Sequence, residues 1–143
     1  MSYEFPENLF FDKKHHVWCL PESELLVRIG IDPLGLASLG DLAYLSLNQN
    51  GSKVSRGQPI GMLEAAKMTG ELISPVDGEI VERNQHVLND PFQVNSEPYG
   101  AGWLVVLECE NWSEDSKKLV TGRKVEAWSK DELKRYRDHG WIE

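Results

Sequence analysis

The sequence predicts a mainly β protein: a flattened barrel or sandwich with a short internal helix and helices at its C-terminus. Short apolar segments separated by Gly, Pro and Asn turns recur through the first 110 residues, a pattern typical of such folds. Beyond them the spacing of apolar residues becomes helical. We therefore expect one domain over residues 1–143, in which residues 111–143 are a helical C-terminal extension.

The first third of the chain predicts three strands and the internal helix. Asp32 is suited to the N-cap of that helix and Pro33 to its first position, while Gly40 ends it after about two turns. Apolar segments bounded by turn residues predict strands on either side. These strands cover residues 16–20, 25–31 and 42–47.

A hairpin is predicted around Lys67. Residues 59–63 and 72–76 are short apolar segments, and the small residues Ala65 and Ala66 favour a tight reversal between them. A lysine at such a tip stands clear of the body and can be reached by another protein. Spacing alone favours an ordinary surface lysine.

The remaining segments are less regular. Residues 79–83 predict a strand, residues 84–97 are polar and broken at Asp90-Pro91, and residues 102–109 form the most apolar strand. In that strand we expect one buried face to carry Trp103, Val105 and Leu107, with Leu104 and Val106 on the other. Two helices follow: residues 114–120, and a second that starts with the capping box at 129–132 and ends near 139–140.

Composition excludes several classes of function. The net charge of −8 argues against nucleic-acid binding, which depends on phosphate neutralisation. No apolar run approaches the roughly 20 residues that span a bilayer, and the N-terminus does not resemble a signal peptide. We expect a cytoplasmic protein that binds neither membrane nor nucleic acid.

Cysteine and histidine residues give no signal for redox or metal chemistry. Cys19 and Cys109 each lie in or beside an apolar segment, so we expect them to be small buried side chains. The His15-His16 pair has no carboxylate or Cys at metal spacing nearby, so no metal site is expected. No nucleophile–base pair is visible either, which argues against an enzyme.

The stretch around Lys67 resembles a biotinyl or lipoyl attachment site. In that family the cofactor acylates a hairpin lysine, an acidic residue often stands three positions earlier, and a P-V-x-G-E turn follows. Glu64, Lys67 and residues 75–79 match the pattern. Residues 64–68, E-A-A-K-M, lie between the A-M-K-M typical of biotin carriers and the E-S-V-K-A typical of glycine-cleavage H proteins.

Sequence on both sides of the hairpin favours the lipoyl carrier. Residues 95–104, N-S-E-P-Y-G-A-G-W-L, look like the segment that follows the lipoyl site in glycine-cleavage H proteins, and His16-x-Trp18 falls where that family places it. The resemblance covers roughly residues 5–110, whereas biotin carriers share only the hairpin. It implies the barrel–sandwich hybrid fold of biotinyl and lipoyl carriers, lipoate attached to Lys67, and Glu64 as a recognition residue for the lipoylating enzyme.

Two departures bear on the cargo of the arm. In glycine-cleavage H proteins a Glu usually stands at the position of Val17 and a His at that of Leu34, lining the cleft that shelters the aminomethyl-loaded arm. A shielded ammonium needs a polar partner, and these residues offer none. The combination is similar to the lipoate-binding, H-like proteins of bacterial sulfur oxidation, whose partners are a heterodisulfide-reductase-like complex and dihydrolipoamide dehydrogenase.

The resemblance therefore implies a carrier that is loaded by a lipoate ligase or lipoyl transferase. The favoured function is transport of sulfur intermediates and electrons on Lys67. The first alternative is an H protein that carries the aminomethyl group between the glycine-cleavage P, T and L proteins. A biotinyl carrier, or an unmodified interaction module that kept the fold, is the second alternative.

Overall fold

The computed structural model describes residues 3–143, which contain two antiparallel sheets and five α-helices. The strands are β1 (Phe10–Phe11), β2 (Val17–Pro21), β3 (Leu26–Ile31), β4 (Leu42–Leu47), β5 (Lys53–Val54), β6 (Pro59–Ala65), β7 (Thr69–Ile73), β8 (Gly78–Arg83) and β9 (Val105–Glu108). The helices are α1 (Pro33–Leu39), α2 (Gln85–Asn89), α3 (Phe92–Ser96), α4 (Trp112–Asp115) and α5 (Lys124–Asp138), with a 3₁₀ turn at Ser116–Lys118.

The core lies between the two sheets. One sheet has six strands in the order β1-β2-β3-β9-β8-β5, and the other has three in the order β4-β6-β7. Ile29 and Leu107 of the first sheet belong to the same buried cluster as Leu45 and Leu63 of the second. Burial of one apolar face by each sheet is what stabilises a sandwich. The predicted mainly β fold is confirmed.

The internal helix α1 has the predicted ends. The Asp32 side chain accepts a hydrogen bond from the Gly35 amide at 2.9 Å, and Pro33 is the first helical residue. At the other end Gly40 has φ +84° and its amide donates to the Leu36 carbonyl. These contacts satisfy polar groups that a helix leaves unpaired at its ends.

The central strand β9 is shorter than predicted. It lies between β3 and β8, and its pairing with β3 begins at Val105. Leu104 is fully buried and packs in the main core with Val105 and Leu107, so its expected place on the opposite face is wrong. Trp103 lies outside the strand, 4.2 Å below the Arg28 guanidinium. Side chains alternate between the two faces of a sheet only within a paired strand, so the alternation does not extend to residues that precede the first paired residue.

The C-terminal region also differs from the prediction. α5 begins at Lys124, so the predicted capping box is wrong: Ser129 lies within the helix and its hydroxyl donates to the Glu126 carbonyl. The predicted helix at 114–120 is α4 followed by the 3₁₀ turn. Val120 is extended and exchanges backbone hydrogen bonds of 2.8 and 2.9 Å with Phe11. The polar segment 84–97 contains two short helices, with Asp90-Pro91 between them.

A buried ionic network fixes α5 against the body. His16 is 1% exposed; its Nδ1 lies 2.7 Å from the Asp32 carboxylate and its Nε2 lies 2.8 Å from that of Glu132. Arg135 donates two further hydrogen bonds to Glu132, at 2.7 and 2.9 Å. The network therefore joins the start of β2, the N-cap of α1 and the middle of α5.

The surroundings of His16 favour its charged form. Burial disfavours the charge, but the hydrogen bonds and negative charges of Asp32 and Glu132 outweigh that effect and raise the pKa of His16 above its ordinary value. The hydrogen bonds from Arg135, with His16 adding to them, hold the pKa of Glu132 below its ordinary value despite partial burial. A charged imidazole can donate to both carboxylates at once.

We predict that Glu132→Gln lowers the free energy of unfolding by about 1.5–3 kcal/mol at pH 6, because it removes a charge-assisted hydrogen bond to His16. A raised His16 pKa stabilises the fold below the pKa of the unfolded chain, and this contribution is lost as pH rises through the folded value. Wild-type stability should therefore fall more steeply than that of the variant as pH rises above the ordinary His value of 6.5 and through the raised pKa of His16. Denaturant titration across this range measures both effects.

The matched control is Glu126→Gln on the same helix, where the exposed carboxylate pairs with Lys130 at 2.9 Å. Exposed pairs contribute little to stability, so its pH dependence should follow that of the wild type. If Glu132→Gln and Glu126→Gln had the same free energy of unfolding and the same pH dependence, the network would not stabilise the fold.

Candidate functional site

Lys67 lies at the tip of the hairpin formed by β6 and β7. The strands pair from Pro59↔Ile73 to Glu64↔Thr69, and the Ala65 amide donates to the Met68 carbonyl at 2.9 Å across the tip. The side chain of Lys67 is exposed. The predicted hairpin is present, and it holds the lysine where another protein can reach it.

The C-terminal end of α1 holds the tip of the hairpin. The Lys67 amide donates to the Leu39 carbonyl at 2.9 Å, and the Lys67 Nζ donates to the Ala37 carbonyl at 2.8 Å. The Ala66 amide donates to the carbonyl of Asp41 at 2.9 Å. The last carbonyls of a helix have no partners within it and carry the negative end of the helix dipole, which favours a nearby cation. The helix therefore orients both the backbone and the amine of the lysine.

Gly40 allows the helix and the tip to approach. Its backbone has φ +84° and ψ −168°, a conformation largely restricted to glycine. A Cβ at this position would lie 3.1 Å from the Ala66 Cβ and 3.2 Å from the Lys67 Cγ. Any side chain here would press directly on the lysine.

Asn95 holds the turn between α1 and β4. Its Nδ2 donates to the Gly40 carbonyl at 3.1 Å, and its Oδ1 accepts from the Leu42 amide at 2.9 Å. Sequence reasoning placed Asn95 in a recognised segment but gave it no role. An amide side chain offers a donor and an acceptor together, and here both go to backbone groups beside the lysine tip.

Glu64 is exposed on β6, opposite Tyr44 of β4 and Thr69 of β7. Within residues 3–143 neither Glu64 nor Lys67 forms an ion pair within 4.0 Å. The carboxylate therefore does not hold the lysine in place. Both charges are presented to solvent on the same hairpin.

Two depressions lie on different faces of α1. A cavity of about 240 Å³ is lined by Ser38 and Leu39, together with Met68 of the hairpin. A groove of about 540 Å³ is lined by Ala37 and by Lys67 itself. Successive residues of an α-helix are turned by about 100°, so Ala37 and Ser38 point in different directions.

The two sequence departures are separated in the structure. Val17 lines the cavity, as expected, whereas Leu34 does not: it is fully buried and packs against Tyr136 and Ile142. Glu71 of β7 also belongs to the cavity lining, and sequence reasoning gave it no role. The expectation that both departures make the cleft apolar therefore holds for Val17 alone.

The cysteines are buried, as predicted. Cys19 and Cys109 are 0% and 1% exposed. Burial, followed by the negative charge of Asp115, raises the pKa of Cys109 to about 12, and burial raises the pKa of Cys19 well above its ordinary value. Thiols in such surroundings are poor nucleophiles.

The histidine pair has carboxylate neighbours that were not anticipated. Asp12, three residues before His15, lies 3.3 Å from the His15 ring, and His16 is enclosed by the network described above. Across residues 3–143 no three His, Cys, Asp or Glu side chains come together in a way that suits a metal ion. In the same part of the chain, none of the helices has the length and apolar character needed to cross a membrane.

The family profile described as "Glycine cleavage H-protein" matches residues 9–132. The chain belongs to the glycine cleavage H-protein family. Members of this family are carrier proteins rather than enzymes, and they bear a lipoate covalently attached to a lysine. The prediction of a lipoyl carrier that is not an enzyme is confirmed at that level.

Relatives of this H protein share most of its length. It is 38% identical over 121 residues to the probable glycine cleavage system H protein 2 of Sulfurisphaera tokodaii, covering 83% of this chain and 81% of that protein. It is 31% identical over 130 residues to the glycine cleavage system H protein 2 of Aquifex aeolicus, covering 91% and 81%. The crystal structure of a glycine cleavage system H protein from Mycobacterium marinum superposes with a TM-score of 0.76 at 30% identity, covering 90% of this chain and 98% of that one.

These names favour the first alternative of the sequence analysis over sulfur transport. Within the family the partners are the glycine-cleavage P, T and L proteins and a lipoate ligase. The geometry of the hairpin fits lipoate, since Lys67 is exposed and its amine donates a hydrogen bond to a backbone carbonyl.

We predict that Gly40→Ala lowers the free energy of unfolding by about 1–3 kcal/mol, because its backbone conformation strains any other residue. The added methyl should also displace the Lys67 tip and slow its lipoylation by a purified ligase. Denaturant titration and the rate of mass increase measure the two effects.

Gly57→Ala is the matched control. Gly57 has φ +87°, but no atom of another residue lies within 4 Å of an added Cβ. This variant should lose stability and keep the wild-type rate of lipoylation. An equal slowing of both variants would show that the contact between Gly40 and the tip is unimportant.

Proposed function

We propose that Lys67 carries lipoate and that the protein is the H component of a glycine-cleavage system. The main support is the placement of Lys67 on an exposed hairpin tip. Two hydrogen bonds fix this tip to the C-terminal end of α1, and a third joins the Ala66 amide to the Asp41 carbonyl just beyond the helix. An amine held in this way presents one group, in one orientation, to an enzyme that acylates it. The P, T and L proteins are the proposed partners.

Lipoylation converts an amine into an amide. The deprotonated Nζ bonds to the carboxyl carbon of an activated lipoyl group, the activating group leaves, and one N–H remains. That N–H can still donate to the Ala37 carbonyl, which the amine contacts at 2.8 Å. The positive charge is lost, and with it a favourable interaction with the helix dipole of about 0.3–1 kcal/mol. Attached lipoate supplies a dithiolane that takes up two electrons or holds a group on sulfur.

Glu64 is the proposed contact for the ligase. Its carboxylate is exposed on the hairpin that carries Lys67 and has no ion-pair partner within residues 3–143. An exposed, unpaired charge next to a target lysine is available to a basic group of an incoming enzyme. Solubility of the hairpin is the alternative role for this residue.

The cavity beside the hairpin is the proposed shelter for the aminomethyl cargo. Its lining includes Glu71, an acidic residue, and His15, whose ring contacts Asp12. An ammonium withdrawn from water requires such polar partners. Two observations thus support this cargo: the names of the relatives, and a carboxylate-bearing residue in the cavity lining.

Sulfur transport is the second candidate, and Val17 favours it. Val17 is 3% exposed and contributes an apolar wall with Ile31 and Leu63. Such a wall accommodates an uncharged sulfur adduct without an unpaired polar group. In this case the partners would be a heterodisulfide-reductase-like complex and dihydrolipoamide dehydrogenase. Leu34 no longer supports this candidate, since it packs beneath α5 instead of lining the cavity.

We predict that the wild-type protein gains one lipoyl group when it is incubated with a lipoate ligase, and that Lys67→Arg gains none, because a guanidinium does not form the amide. Intact mass and an anti-lipoyl blot measure this. Lys53→Arg is the control, since it makes the same change on another exposed lysine and should be modified normally.

Streptavidin binding would identify a biotinyl carrier instead, and a bare Lys67 in cells that contain a ligase would indicate an unmodified interaction module.

The cargo is tested by glycine decarboxylation and bicarbonate exchange with the glycine-cleavage enzymes. We predict activity for the lipoylated protein, and a rise of about ten- to a hundredfold for Val17→Glu, which corresponds to one charge-assisted hydrogen bond of roughly 1.5–3 kcal/mol. Val17→Gln introduces a side chain of nearly the same shape as Glu but without its charge, so this variant should not show the rise in exchange activity. Thermal unfolding checks that both variants keep the fold. No exchange by wild type or Val17→Glu would contradict the aminomethyl cargo and leave sulfur transport as the better assignment.

A further inference from the structure

The groove on the Ala37 face of α1 is built partly by the C-terminal tail. We call it the tail groove, and its walls include Tyr3, Ala37, Lys67, Phe92 and Ile142. Its volume of about 540 Å³ is within the range of small-molecule sites. It is distinct from the cavity that contains Val17, since the two linings share no residue.

Lys67 points along this groove. It is part of the lining, and its Nζ donates to the carbonyl of Ala37, another wall residue, at 2.8 Å. One N–H remains after acylation and can make the same hydrogen bond. An acyl chain on Nζ therefore starts inside the tail groove rather than in the cavity on the other face of the helix.

The chemistry of the walls suits an uncharged acyl chain. Phe92 and Ile142 present apolar surface, and Phe92 is 47% exposed beside the lysine. The two carboxylates of the lining, Asp41 and Glu143, are exposed and therefore lie at the mouth of the groove. An alkyl chain with an oxidised dithiolane has no charge and gains by leaving water.

The wall formed by the tail lies outside the part of the chain that matches the family profile. Ile142 and Glu143 lie beyond residues 9–132, the part that matches the family profile. The tail is held by a 2.9 Å hydrogen bond from the Trp141 amide to the Tyr136 carbonyl and by packing of Ile142 on Leu34 and Tyr136. Its position depends in turn on α5, which the His16 network fixes.

We propose that the tail groove is a resting site for the uncharged lipoyl arm, with the C-terminal tail as one of its walls. This inference rests on the proposed lipoylation of Lys67. The arm lies in the tail groove when its dithiolane is oxidised and empty, and it leaves the groove to reach a partner enzyme. The tail thereby limits the access of solvent and of small reagents to the dithiolane.

The test compares NMR spectra of the unmodified and lipoylated protein, with intact mass establishing lipoylation of the same sample. The expected result is a set of shift changes at the methyl groups of Ala37 and Ile142 and at the Phe92 ring. Changes confined to residues 64–69, or falling on Val17, Ile31 and Leu63, would overturn the inference while lipoylation stands. A protein that remains unmodified would overturn the proposed function and this inference with it.

Two variants test the walls separately. In lipoylated Ile142→Asp the shift change at Phe92 should disappear, and reduction of the oxidised arm by dithiothreitol should be several-fold faster than in wild type. Phe92→Ser removes the half-exposed opposite wall without touching the core, and it should give the same faster reduction. Trp141→Ser is the control and should keep the wild-type rate, because Trp141 adjoins Ile142 but does not line the groove. Equal reduction rates in wild type, Phe92→Ser and Ile142→Asp would also overturn the inference.

Discussion

The imidazole of His16 lies between the carboxylates of Asp32 and Glu132, at 2.7 and 2.8 Å, and joins three segments that are distant in sequence. Asp32 also caps the start of α1, whose other end receives the Lys67 hairpin. A short helix is thus fixed at one end by a buried charge and at the other by Lys67. Buried charges are stable only with such partners. The position of Lys67 therefore depends on a network built around the middle of α5.

A carrier protein has two requirements that oppose each other: the lysine must be exposed, yet its position must be defined. Exposure comes from the hairpin, which projects from the three-stranded sheet. The position of the lysine is fixed by carbonyls at the end of α1 that have no partner within the helix. The backbone amide and the side-chain amine of Lys67 both donate hydrogen bonds to them. Gly40 makes this contact possible because it has no side chain between helix and tip. Asn95 holds the same turn from the other side.

The features that could be predicted from the sequence are those with local signals. The ends of α1, the hairpin around Lys67 and the central position of β9 follow from caps, turn residues and apolar runs that lie within a few residues of each other. The start of α5 did not follow, because Glu132 has the spacing of a capping box but bonds to His16, 116 residues away. The roles of Asn95, Glu71 and the tail depend on similar long-range contacts. Leu34 was misplaced for the same reason: alignment gave its position in the chain but not the helix that covers it.

The proposed acylation of Lys67 removes one positive charge, which has an electrostatic consequence for the whole molecule. With every His counted as neutral, the unmodified chain has a formal net charge of −8, so removing the charge of Lys67 gives −8 − 1 = −9. Residues 1–110 contain 7 Lys or Arg and 16 Asp or Glu, and the lost charge is one of those seven. The negative potential around the hairpin therefore deepens when the arm is attached, and potentials of this kind steer encounters with oppositely charged partners. Basic docking surfaces thus attract the lipoylated chain without cargo more strongly than the bare chain. The difference in net charge also separates these two forms by electrophoresis.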